Sequence, residues 1–430
     1  MVSKTRKQKA GKYKYEGAYG CVYRPALHCK GNASRAPDSI SKVQFEYQSD
    51  KEFKQQGPLE AIDPEREYFI SATRVCEPDL GKVDPNENNI PSCSLAKNSV
   101  VHKPLYLNSE RYFQKNLTNA KIVEYLDGGE NLYNFKPSKT QYVEIFKGFE
   151  NLLEGLVKLH AAGYVHLDIK EANTVVKENP DGTLHMRFID FGFLSNPKTF
   201  HTVLIDYQLE SFYPYWPLDI LFPTNDPQLP MPPLERVFDE LRKDYIKELK
   251  TYKLDTKIPA SIMDKIKGDT YYDTYRESYD EYDSMKNGQD DSEALKAFLP
   301  TIDIYMLGLL MATLVYKYTG MREIAIRDPY VTIYPAKMDK PKGGLAGTGT
   351  EKKWTKQIET RIGGYLYQLL DKMMDPDFQK RPSAQDALEE YQTILPAIEE
   401  LFTENAVHDI LGVQGGGKRK TRKQKKSQTK

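Results

Sequence analysis

The sequence predicts an α+β fold in two unequal parts, a small β-rich part within residues 13–125 and a larger helical part over residues 126–402. Three observations carry this expectation. Short runs of β-formers broken by glycine and proline fill the first part. A 3.6-residue apolar period sets in near Thr140 and recurs towards the C-terminus. At 430 residues the chain also exceeds the usual size of one hydrophobic core.

The elements follow in order. Tyr15–Tyr23 places two glycines between β-formers, the pattern of a hairpin whose turn lies against something bulky. Ile40-Ser41-Lys42-Val43 reads as a short strand, and Asp50–Ile62 as a helix weakened by Gly57-Pro58. Residues 77–104, rich in Pro, Asn and Asp, read as a loop insertion. Ala120–Tyr125 reads as a buried strand. Ile145, Phe149, Leu152, Leu153, Leu156 and Leu159 form the buried stripe of a helix over 140–161, with Gly163 as its stop. Further helices are expected around Leu234–Leu249 and from Ala384 to Phe402. The alternating tyrosines and acids of 271–283 read as a mobile acidic loop, within residues 223–300, most of which the resemblance given below implies to be an insertion.

Composition narrows the function classes. With 39% hydrophobic and 28% charged residues, the chain has the balance of a folded globular protein and not of a disordered one. No apolar run is expected to span a bilayer, and the basic, polar N-terminus lacks the apolar core of a secretory leader, so no membrane role is expected. Cys21, Cys29, Cys76 and Cys93 are irregularly spaced, without a Cys-x-x-Cys pair. Reduced thiols and no structural metal are therefore expected. The zero net charge hides an asymmetry: residues 1–14 carry six bases and no acid, 418–430 carry eight and no acid, and the remainder holds 47 bases against 61 acids. Lys4-Thr5-Arg6-Lys7-Gln8-Lys9 recurs letter for letter at 420–425. Residues 1–12 and 403–430 are expected to be disordered basic tails, either solvated or binding nucleic acid or another polyanion.

Two motifs carry chemistry. His166-Leu167-Asp168-Ile169-Lys170-Glu171-Ala172-Asn173 is followed, after a strand-like run from Leu184 to Ile189, by Asp190-Phe191-Gly192. This order of acid, cation, amide and second acid suits phosphoryl transfer from ATP. Asp168 can orient a hydroxyl and take its proton, Lys170 can neutralise the moving phosphoryl group, and Asn173 and Asp190 can hold Mg2+ against the phosphates.

These motifs resemble the catalytic core of the protein kinase superfamily, and that resemblance implies more. The fold would be bilobal and protein-kinase-like, with a β-rich N-lobe and a helical C-lobe. Tyr15, Gly17, Ala18, Tyr19, Gly20 and Val22 would cover the ATP phosphates, with Tyr15 standing where the usual first glycine is absent. Lys42 would bind the α- and β-phosphates, oriented by Glu52, with Glu60 the runner-up. The 123–130 segment resembles the hinge: Val123 would wall the adenine pocket, the backbone of Glu124 and Leu126 would pair with the adenine edge, and Glu130 would reach the ribose or start a helix. His166 and Phe191 would pack in support of the loop. Asp303 would cap the catalytic-loop backbone, and Asp219 would replace the usual glutamate as partner of Arg381.

Lys170 is the pattern of serine/threonine-specific members. Leu167 stands where phosphorylation-switched members carry arginine, so no requirement for activation-loop phosphorylation is expected. Ser41 before Lys42, and Glu52-Phe53 followed by Ile62-Asp63-Pro64, are similar to kinases of nucleocytoplasmic large DNA viruses. That similarity implies host cytoplasm or virion as the location, with the nucleus as an alternative through the basic tails. The expectation is thus an ATP- and Mg2+-dependent kinase acting on protein serine or threonine. The competing readings are a weakly active or inactive kinase-like scaffold and a small-molecule kinase.

Overall fold

The computed structural model describes residues 12–16, 20–31, 38–79, 120–138, 141–202, 213–224, 234–286, 290–319, 325–327, 330–332 and 364–403. Gly17, Ala18 and Tyr19, most of the expected 77–104 insertion, and both basic termini lie outside the described residues. The chain is mixed α+β, with an antiparallel sheet region followed by a larger helical part.

The sheet region contains β1 (Lys12–Glu16), β2 (Cys21–Arg24), β3 (Ser39–Phe45), β4 (Ala72–Cys76) and β5 (Ala120–Leu126), in the order β1-β2-β3-β5-β4 and antiparallel throughout. β5 lies between two neighbours, which explains its nearly unbroken apolar sequence: Ala120, Ile122, Val123 and Tyr125 are all buried. Its register sets Lys42 opposite Val123. Helix α1 (Glu46–Gln55) follows β3 directly, and α2 (Gly57–Ile62) starts after Gln56. The single helix expected over 50–62 is thus two, because Pro58 cannot supply the N–H a continuous helix needs but suits a helix start. Asp63 then ties the following turn, its carboxylate accepting from the amides of Glu67, Tyr68 and Phe69.

The expectation of reduced thiols is corrected. Cys29 and Cys76 form a disulfide with a Cα–Cα distance of 5.7 Å, and Cys21 is disulfide-bonded too. The connection from β2 to β3 lies along the end of β4, where the Lys30 amide donates to the Glu77 carbonyl and that of Asp79 to the His28 carbonyl. Residues 47 positions apart in sequence are thereby neighbours in space, which sequence spacing alone does not reveal.

The helical part opens with the short strand β6 (Glu130–Asn131), which joins β7 (Thr174–Glu178) and β8 (Leu184–Phe188) in an antiparallel sheet ordered β6-β7-β8. Helix α3 (Tyr142–Ala161) packs on β8 and buries the six apolar residues of its stripe. The chain reverses at Gly163, whose φ of +78° favours glycine. Further along come α4 (Leu234–Thr251), α5 (Ala260–Lys267), α6 (Tyr271–Ser284), α7 (Ser292–Thr319), α8 (Gly364–Met373) and α9 (Ala384–Thr403). Contrary to the expectation that no run could span a bilayer, α7 is long and apolar enough by length and composition, yet that stretch is 89% buried within the protein. A helix apolar on all sides is at home in the centre of a large core.

The 271–283 stretch is also corrected, from a mobile loop to helix α6. Tyr271, Tyr275, Ser278 and Tyr282 recur at helical spacing and are buried, whereas Asp273, Glu277, Asp280 and Glu281 face solvent. The tyrosines meet an aromatic group around Phe222, with ring centroids 4.8 Å from Tyr275, 5.9 Å from Tyr282 and 5.7 Å from Phe298. Phe222 sits on a 3-10 turn, Leu218–Thr224, that Arg381 fastens from the other side. The guanidinium donates to both oxygens of Asp219, at 3.4 and 2.5 Å, and to the Asp375 carbonyl at 2.8 Å, with both side chains fully buried. Burial pushes the Asp219 carboxyl up to about 6 in spite of Arg381.

Two outcomes are expected from this packing. Tyr275→Ala should cost about 3–5 kcal/mol by emptying the aromatic group, while Glu277→Ala stays within about 0.5 kcal/mol; urea unfolding of both variants measures this. Arg381→Met should cost about 3–5 kcal/mol by stranding the Asp219 carboxylate. The folded protein binds a proton at Asp219 more tightly than the unfolded chain does, so acid relieves the stranded charge. The deficit of Arg381→Met against the parent should therefore shrink between pH 8 and pH 5.

Candidate functional site

Lys42, in the middle of β3, is placed by the sheet. Gly20 leaves room for its stem: a Cβ there would come within 2.9 Å of Lys42 Cγ and 3.0 Å of the Val43 carbonyl oxygen. Lys42 Nζ donates to Glu52 Oε2 at 2.9 Å and lies 3.9 Å from Asp190 Oδ1. Glu52, and not Glu60, is therefore the carboxylate on Lys42. It is fixed by Gln44 at 3.0 Å, Gln56 at 3.4 Å and the buried phenol of Tyr125. A flexible ammonium loses rotamer entropy when held, and this carboxylate, itself immobilised, meets that cost before any ligand arrives.

The 166–173 loop is held from beneath by Asp303, fully buried on α7. Its oxygens accept from the His166 amide at 2.7 Å and the Leu167 amide at 2.8 Å, and His160 Nε2 lies 3.1 Å away. Leu167 has a φ of +60° and Asp190 a φ of +61°, unusual for residues with side chains; such conformations cost about 1–3 kcal/mol and persist where surroundings enforce them. Burial keeps the His166 imidazole below its ordinary pKa and hence neutral. Its Nδ1 accepts from the Asp168 amide at 3.2 Å, leaving Nε2 as the donor to the Ile189 carbonyl at 3.2 Å. Phe191 packs on His166 and Phe69, with centroids 4.7 and 5.7 Å apart.

On this support stands a group of charges. Asp168 accepts from Lys170 Nζ at 2.8 and 3.1 Å and from Asn173 Nδ2 at 2.6 Å, while Asn173 also donates to the Asp168 carbonyl at 3.0 Å. The Asn173 amide oxygen is the end left to meet a ligand. The two acids differ electrostatically. Burial raises the Asp168 carboxyl above its usual range, an effect that Lys170 only partly offsets. Against the cost of its own burial, Lys42 and then Lys170 hold the Asp190 carboxyl below its usual range. The more basic carboxylate suits a proton acceptor, and the firmly ionised one suits a cation ligand. Among the described residues no group of three or more His, Cys, Asp or Glu can hold a metal. One carboxylate and one amide oxygen nevertheless fit Mg2+, which is commonly held by one or two protein ligands and completed by substrate phosphates.

The segment expected as a hinge begins inside the sheet. Glu124 lies inside the sheet between Ser41 and Arg74. Its carbonyl accepts from Thr73 Oγ1 at 2.9 Å and its carboxylate pairs with Arg74 at 2.6 Å, so its backbone is not at an open edge. Tyr125, two residues beyond Val123 on the same face, is the side chain that reaches Glu52. The strand ends at Leu126, and Gly128 follows in close approach to Ile70 and Val175. Glu130 belongs to β6, paired with Val176. Among the other expected residues, Val22 pairs with Lys42 across the sheet and Tyr15 with Val22.

Two participants were missed by sequence reasoning. Trp216 Nε1 donates to the Leu167 carbonyl at 2.7 Å. Tyr213 donates its hydroxyl to Asp168 Oδ1 and accepts from Lys170 Nζ at 2.7 Å. The one available signal was the aromatic density of 212–216, which reads equally as core. No protein-family model matches the chain.

Asp303→Asn replaces one of the two oxygens that face the His166 and Leu167 amides with a donor. It should cost about 1–3 kcal/mol and loosen the 166–168 backbone, read as faster amide hydrogen exchange at Leu167 and Asp168 with exchange in β3 unchanged.

Proposed function

We propose that the chain is an ATP-dependent serine/threonine protein kinase with a bilobal, protein-kinase-like fold. The observation that carries the reading is the shared position of Lys42, between Glu52 and Asp190, together with Asp168, Lys170 and Asn173 gathered into one hydrogen-bonded group. Those are the groups that phosphoryl transfer requires, and they come from elements far apart in sequence.

In this reading Lys42 binds the α- and β-phosphates, with Glu52 fixing its direction. Asp190 and the Asn173 amide oxygen hold Mg2+, which neutralises phosphate charge. Asp168 aims the acceptor hydroxyl at the γ-phosphorus and takes its proton as the new P–O bond forms and ADP departs. Lys170 faces the transferred group. Catalysis is then mostly positioning and charge stabilisation. The adenine edge meets the backbone of 126–128, where the chain leaves the sheet, between Ile40, Ile70, Val175 and Ile189, which form one apolar group with Tyr125. Leu167 is fully buried and offers no cation to a phosphorylated activation segment, so this kinase works without that modification.

The test is transfer of labelled phosphate from Mg-ATP to casein or myelin basic protein. The parent should transfer, EDTA should stop it, and Asp168→Asn should lower kcat by about 10²–10⁴ while retaining nucleotide binding. Thr199→Ala with Thr202→Ala should transfer like the parent. A folded parent that binds Mg-ATP but transfers to neither protein, and instead phosphorylates aminoglycosides or sugars, would refute the reading.

A further inference from the structure

The Asp168 carboxylate has about four lone-pair positions, and the structure fills them all. Oδ2 takes Asn173 and Lys170, and Oδ1 takes Lys170 and the Tyr213 hydroxyl. Asn173 and Lys170 each have an obvious second duty towards the nucleotide. Tyr213 has none.

The Tyr213 ring is also firmly seated. It meets Trp216 edge-on at 5.1 Å, Tyr215 at 5.2 Å and Phe193 edge-on at 6.4 Å. Its carbonyl accepts from the Trp216 amide at 3.0 Å in a closed turn, and Trp216 is bonded to the catalytic loop through Leu167. Lys170 Nζ lies 5.1 Å from the centroid of the Tyr213 ring and 5.9 Å from that of Tyr215.

Resting on the kinase reading above, we propose that Tyr213 is a positioning residue for phosphoryl transfer, whose hydroxyl, shared between Asp168 and Lys170, sets the spacing of the proton acceptor and the phosphoryl-facing cation. Lys170 lies two residues from Asp168 and already touches both carboxylate oxygens. The phenol gives its proton to Oδ1 and offers its oxygen to Nζ, so the carboxylate and the ammonium are both tied to one atom of a seated ring. Because its anchor is an aromatic cage, the spacing is fixed before acceptor and nucleotide bind.

The decisive variant is Tyr213→Phe, which keeps the ring and its cage and removes only the shared oxygen. The expected result with Mg-ATP and casein is a fall in kcat of about 10- to 100-fold, the scale of a misplacement near 1 Å. KM for ATP should stay within about twofold, because Lys42 and Asp190, which Tyr213 does not touch, hold the nucleotide. Thermal unfolding, with and without Mg-ATP, should match the parent. A merely structural role would lower the melting temperature or move KM for ATP along with kcat, and either result overturns the proposal. An unchanged kcat overturns it as well. A raised kcat would do the same, showing that the phenol obstructs the acceptor. Failure of the kinase reading looks different: the parent itself then transfers no phosphate to protein, and Tyr213→Phe and Asp168→Asn are indistinguishable from it.

Discussion

The candidate site depends on a carboxylate that takes no direct part in its chemistry. Asp303 sits on the long, largely buried helix α7 and accepts from two successive amides of the 166–168 loop. Those bonds require the loop to turn sharply, and Leu167 adopts a left-handed backbone to do so. A carboxylate buried in an apolar core is tolerable only when its oxygens are satisfied. The requirement therefore runs both ways: the loop needs Asp303 to hold its shape, and Asp303 needs the loop amides and His160 to be buried at all. The loop is thus placed by the core and not by a ligand.

From that anchor the electrostatics follow. Asp168 and Asp190 differ because of what surrounds them and not because of what they are. Asp168 is enclosed and pushed towards holding a proton, while Asp190 faces Lys42 and is kept ionised. Lys42 can serve Asp190 because Glu52 restrains it, and Glu52 is in turn restrained by Gln44, Gln56 and Tyr125. Each layer of polar contacts is directional, and the outermost donors come from the β3–β5 pair and from the end of α1. A β3–β5 register shifted by one residue would put Lys42 and Tyr125 on opposite faces of the sheet.

Much of this was legible in the sequence, where the signal was local or strongly periodic. The stripe from Ile145 to Leu159 defined its helix to within a turn, and the order of Asp168, Lys170, Asn173 and Asp190 placed the charged residues that the structure gathers. Lys42 and Glu52 could be paired only through the resemblance of Glu52-Phe53 and Ile62-Asp63-Pro64 to a known motif, not through periodicity. Other features were hidden for physical reasons. Sequence alone does not say how far a buried strand continues, and β5 runs one residue past Tyr125. The disulfide depends on which strands are neighbours. The 271–283 tyrosines alternate with acids as a solvated loop would, and their burial against Phe222 is what shows the helical stripe. Tyr213 and Trp216 are aromatic residues in an aromatic stretch, and nothing local distinguishes one that packs from one that also reaches a carboxylate.

Leu167, which offers no cation, acquires meaning beside these aromatic contacts. A segment that follows the two charged motifs can be fastened to the loop in two ways. One is an ion pair to a modified side chain, which is switchable and screened by salt. The other is buried packing with neutral hydrogen bonds, which is present as soon as the chain folds. Here the loop side supplies the Leu167 carbonyl and an apolar side chain, and the segment supplies the Trp216 indole and a group of rings. Beyond them, Asp219 and Arg381 clamp the same stretch with neither side chain exposed to solvent. Both fastenings are part of the folded core, so loosening the segment would mean uncovering aromatic surface and separating a buried ion pair at the same time. A stretch held in that way has its working position set by folding alone.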